Sequence, residues 1–166
     1  VSEKPSPTRP FRGYSEEDVP LSSYAAIMGV FNLLFALALL AAKRSGRPLP
    51  ERMELRDMLL LAAATHKLSW LVTNEVVTSP IRAPFTELRE VESPTHVREE
   101  PRGGGLRRSL GELLTCHFCF GQWIAALLTY GLLFFPAATR LFASIFAILA
   151  ITDHLHQLYQ ALVKRS

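Results

Sequence analysis

Two cysteines three positions apart, in Thr115-Cys116-His117-Phe118-Cys119, are the sharpest chemical feature of the chain. On a helix, positions i and i+3 share a face, so both thiols would point the same way. Three chemistries use such a pair. A redox dithiol needs one activated sulfur, as at a helix N-terminus. A helix beginning near residue 110 places Cys116 roughly two turns inside, where the dipole effect fades. A zinc site needs four ligands. Cys116, Cys119 and His117 would be a partial set, and the only other histidines are His66, His96, His154 and His156. Covalent haem attachment needs histidine directly after the second cysteine, and Phe120 stands there. The remaining reading is two small side chains packed against a neighbouring helix.

Other candidates are more diffuse. His154 and His156 lie two apart, so they point roughly 200° from one another and do not share one ion from a regular helix. His66 beside Lys67 would line a proton path in a small transporter, or bond to neighbouring helices. Arg82 and Phe85, in Arg82-Ala83-Pro84-Phe85, suit binding of a lipid phosphate or a partner's carboxylate, or else a fixed loop corner. Trp123 suits an interface anchor. Arg82, Phe85, Lys67 and Trp123 are therefore the expected lipid or partner contacts, and no residue is assigned a catalytic role. Gly103-Gly104-Gly105 lacks the preceding strand and the following Lys-Ser/Thr of a phosphate loop.

The elements that must position these residues are helical and membrane-like. Residues 22–42 carry no charge. A helix of that length covers roughly 30 Å, the hydrocarbon thickness of a bilayer. A polar, proline-rich tail (1–21) precedes it, without the basic leader of a signal peptide. A retained membrane helix is expected. After the basic turn 43–52, a second helix is expected over about 51–78. Arg56, Lys67 and Asn74 share one of its stripes, so it either spans with a polar seam or lies at the interface. A long polar loop (79–109) holds Pro80, Pro84, Pro94 and Pro101. Ser109 and Glu112 read as a capping box, opening a third helix over about 110–135. A fourth, about 139–163, follows a short turn.

The expected fold is thus all-α: an integral membrane protein of about four transmembrane helices, or three if the second is interfacial. Four spans put both termini and the long loop on one side, with 11 Lys and Arg against six on the other. That count favours both termini in the cytoplasm, although the dense basic turn argues the opposite. The net charge of +3, with no basic stripe interleaved with aromatics, gives no reason to expect nucleic acid.

The order of several motifs is informative. ATHKLSWLVTNEVVTSPIRAPF at 64–85, RGGGLRRSLGELLTCHFC at 102–119 and then Trp123 resemble the bacterial membrane family of unknown function DUF1360. The resemblance covers roughly 55–152 and implies the bacterial cytoplasmic membrane, with no activity attached. His117 replaces the family's usual proline between the cysteines, and Trp70 replaces an arginine. The expected function is a non-catalytic accessory or structural subunit of a larger membrane complex, in contact with membrane lipid and other integral subunits. The alternatives are a thiol-redox or metal protein centred on Cys116 and Cys119, and a small transporter or channel. No cofactor is predicted, zinc or another metal being the open alternative.

Overall fold

The computed structural model describes residues 19–164. Nearly all of the expected N-terminal tail therefore lies outside the described residues. The elements are α1 (Leu21–Arg44), α2 (Leu55–Asn74), a single 3-10 turn (Val76–Thr78), α3 (Ser79–Arg82), β1 (Thr86–Val91), β2 (Val97–Pro101), α4 (Gly105–Thr115), α5 (His117–Phe134) and α6 (Pro136–Val163).

Three of these helices, α1, α5 and α6, are long and apolar enough to cross a membrane. The fourth expected span, α2, is not among them: it carries Arg56, Asp57 and Lys67 along its 20 residues. Yet α2 is the centre of the packing. Its Leu61, Ala64 and Leu68 meet Leu128 of α5 and Ala143 of α6 in the core. Two ion pairs fix its direction. Asp57 pairs with Arg140 and, ten residues on, Lys67 pairs with Asp153. Both partners advance together, so α2 and α6 run parallel. Ser69 of α2 meets His117 at the opposite end of the bundle, so α5 runs antiparallel to both. Small residues permit the approach: a Cβ on Gly131 would stand 2.7 Å from the Thr139 hydroxyl across the α5–α6 turn. Helix α1 packs chiefly on α4 and α5 and leaves most of its apolar surface exposed, as a lipid-facing helix does.

The long polar loop is corrected by the structure. It contains α3 and an antiparallel hairpin of β1 and β2, and α4 begins inside it. Strong local signals for strand were absent because the hairpin is charged and mostly exposed, with Thr86, Val97 and Glu99 turned inward. Its register sets Glu87 opposite Glu100, a repulsive pair. Arg89 offsets it, with Nε 2.8 Å from Glu100 and Nη1 3.6 Å from Glu87.

The third helix is also corrected. It is two helices, α4 and α5, broken at Cys116, whose φ and ψ of −100° and 101° are extended. The capping box is absent, because Ser109 lies within α4 and donates to the Gly105 carbonyl. Glu112 instead accepts from Arg108 and from Tyr24 of α1.

Candidate functional site

Cys116 is the N-cap of α5, and its sulfur accepts from the backbone N–H of Cys119 at 3.2 Å. The break at residue 116 thus moves the cysteine from the interior of a helix to its terminus. Cys116 and Cys119 are joined as a disulfide across the first turn of α5. Cys119 is exposed and Cys116 half-buried. Both sulfur-bearing residues line a cavity of about 500 Å³ between α1, α4 and α5, together with Tyr24, Asn32, Glu112, Gln122 and Trp123.

His117 turns away from that cavity toward α2. Its Nδ1 lies 3.0 Å from the Ser69 hydroxyl. There it joins a group no local motif foretold. The rings of His66 and His117 are 5.2 Å apart, and those of His66 and His154 are 5.7 Å apart. Trp70 packs beside His117 at 5.8 Å, and its indole Nε1 donates to His96 Nε2 at 3.4 Å. Helices α2, α5 and α6 and the hairpin turn before β2 thus send one histidine each to a single end of the bundle. Beside them Lys67 holds Glu75 at 2.8 Å and Asp153 at 3.0 Å. Cys116, Cys119 and His117 are therefore not brought together as a ligand set. Among the described residues, no group of three or more His, Cys, Asp or Glu side chains is placed to hold a metal ion.

The expected contact residues make contacts within the chain, with Phe85, Lys67 and Trp123 half-buried. Arg82 is fully buried within the chain. Its Nε and Nη2 lie 3.0 Å from the two oxygens of Glu99 on β2. Nη1 donates to the Val72 carbonyl and to Thr78 Oγ1, and Nη2 to the Glu75 carbonyl. Arg82 therefore caps the orphan carbonyls at the end of α2 while pinning the hairpin beneath it. Burial by itself raises the Glu99 carboxyl, but hydrogen bonds from Arg82, Thr86 and Ser79 outweigh it and hold the group below the usual carboxylate range. Phe85 is half-buried at this corner, where its carbonyl accepts from the Arg102 N–H. Lys67 is occupied by its two carboxylates. Trp123 meets Phe31 of α1 edge to face at 5.2 Å. Sequence reasoning missed Glu99, Asp57 and Arg140; a buried acid in an apolar helix was the one available signal for Asp57.

A family model described as "Protein of unknown function (DUF1360)" matches residues 60–159. The chain belongs to this family. The match takes in most of α2, the Arg82–Glu99 corner, the cysteine pair and most of α6. Two Bacillus subtilis proteins are similar. The UPF0713 protein YngL is 30% identical over 87 residues, which are 52% of this chain and 65% of that protein. The sporulation protein YjcA is 32% identical over 74 residues, 43% of this chain and 63% of its own length. The chain therefore spans just under two thirds of each curated relative it matches. No catalytic activity is attached to the family or to either name. No solved structure matches.

Proposed function

We propose that this DUF1360 protein is a multi-pass protein of the bacterial cytoplasmic membrane whose Cys116 and Cys119 interconvert between dithiol and disulfide. One observation carries this reading: the pair closes the first turn of α5, with Cys116 as N-cap and Cys119 exposed. The Cys119 N–H aimed at the Cys116 sulfur stabilises negative charge there. Cys116 is therefore the better leaving group, and Cys119 the sulfur open to attack. An incoming thiolate bonds to the Cys119 sulfur, the S–S bond breaks, and its electron pair leaves on Cys116. A second thiol of the partner then displaces Cys119, so the partner leaves oxidised and both cysteines are reduced.

In this reading α1, α5 and α6 cross the bilayer. Helix α2 crosses with them, because its ion pairs to α6 at Asp57 and Lys67 hold it alongside for over two turns. The end with the cysteines faces outward, since disulfides persist in oxidising compartments. The dense basic turn 43–52 then faces the cytoplasm, in keeping with the positive-inside tendency. This orientation reverses the one favoured by the total count of Lys and Arg.

The test is thiol titration of the full chain in lipid nanodiscs against graded glutathione redox buffers. Reversible opening and closure, abolished by Cys116→Ser, is expected. A pair that stays closed in reducing buffer, or thiols that do not re-pair, overturns the reading.

The accessory-subunit reading draws on one observation of its own. Residues 151–160 of α6 are all exposed, including Leu155, Leu158 and Tyr159. Those exposed apolar side chains, set among polar ones, suit a neighbouring helix, and native mass in gently extracted membranes tests it: a monomeric particle would remove it.

A further inference from the structure

We infer that the cavity beside the cysteine pair receives the headgroup of a lipid-soluble quinone, which re-oxidises the reduced pair. This rests on the redox reading above and adds the oxidant that it requires.

The cavity has the size of a small-molecule site, roughly 300–1,000 Å³ in general and about 500 Å³ here. Its walls are mostly apolar, with Ile27, Phe31 and Leu113 around the two cysteines. A charged, water-borne oxidant would lose its hydration on entering. A flat apolar ring would not, and Trp123 and Phe31 offer aromatic faces and edges for it to pack on. Gln122 supplies carboxamide N–H groups suited to a ring carbonyl, and Asn32 has a second N–H beyond the one it donates to the Met28 carbonyl.

The second cavity gives the ligand its tail. It measures about 760 Å³ and lies along α1 and α5, lined by side chains such as Val30, Leu34, Leu110 and Leu127. Ile27, Phe31, Leu113 and Trp123 border both cavities, so the two adjoin. A polar-edged chamber at the sulfurs, next to an apolar groove on a lipid-facing helix, fits a ring that carries an isoprenoid chain.

The electron count closes. The dithiol gives up two electrons and two protons as the sulfur–sulfur bond forms. The quinone takes both, and its two carbonyl oxygens become the hydroxyls of the hydroquinone.

The experiment uses the full chain, reduced and freed of reductant, in nanodiscs of saturated phosphatidylcholine. Decylubiquinone, whose ring is fully substituted and so cannot alkylate the thiols, is added in one arm, oxidised glutathione in a second, and lipid alone in a third. Thiols and hydroquinone are counted with time. One hydroquinone per disulfide is expected with quinone, and no closure with lipid alone. Ile27→Trp, which fills the cavity from α1, should lower the ratio of quinone-driven to glutathione-driven closure at least tenfold. Gln122→Leu should lower it in the same direction, and it covers the case in which the first variant does not fold. Closure by glutathione without closure by quinone, or an unchanged ratio in the folded variants, overturns the quinone site and leaves the redox pair standing. Closure by neither oxidant overturns both.

Discussion

Asp57 at the start of α2 and Arg140 at the start of α6 meet side by side, Nε 2.9 Å from Oδ1 and Nη2 2.8 Å from Oδ2. They lie 83 positions apart in the chain. Asp57 is buried, so the fork-shaped guanidinium supplies the charge and the two donors that its carboxylate needs. Arg140→Leu should destabilise the protein by about 2–3 kcal/mol by stranding that carboxylate. Asp57→Asn in the same background should recover part of the loss. Thermal unfolding in detergent, run as a double-mutant cycle, checks both expectations.

Arg82 and Glu99 are more deeply enclosed, and the Arg82 guanidinium also bonds to Val72, Glu75, Thr78 and Ser79. Arg82→Met should cost about 3–5 kcal/mol, the range for breaking a buried pair. Arg82→Lys should rescue little, because an ammonium cannot satisfy the same fork of acceptors. Hydrogen exchange should show the loss first in the hairpin and at the end of α2.

The same pair predicts an acid limit. Glu99 is held below its ordinary range in the folded protein. Its contribution is therefore fully present above the unfolded-state value of about 4.3 and is lost as pH falls through the lower folded value. Glu99→Gln should be less stable than the parent at neutral pH, and the difference should shrink below about pH 4. A melting series across that window, with no convergence at low pH, would contradict this assignment.

Opening the disulfide should leave the fold intact. It closes a loop of only a few residues, so loop entropy gives it at most about 2 kcal/mol. Melting with and without reductant measures this directly. Unfolding on reduction would mark the bond as structural.

Gly111 marks where α4 crosses the base of the hairpin. A Cβ there would stand 2.5 Å from the Phe85 carbonyl oxygen and 3.0 Å from Pro101 Cβ. Gly111→Ala should therefore destabilise by about 1–3 kcal/mol, as overpacking does. Gly104→Ala, where nothing lies within 4 Å, is the control that should change little.

Much of the architecture was legible in the residues alone. The uncharged run at 22–42 became α1, and α6 starts and ends within a few residues of its expected limits. The family followed from ordered motifs at 64–85 and 102–119. Apolar length and local patterning carry such information because they depend on near neighbours only. What the sequence withheld was every pairing across distance. Asp57 with Arg140, Arg82 with Glu99, Lys67 with Asp153 and the gathering of four histidines join residues that no local rule connects. The hairpin stayed hidden because its exposed, charged strands lack an apolar alternation. The break at Cys116 stayed hidden because Ser109 and Glu112 offered a convincing start for one long helix. Only the packing of α4 against the hairpin and of α5 against α2 sends the two segments on separate paths. That turn makes Cys116 a helix terminus, and it is the tertiary structure that places the cysteine pair beside a cavity.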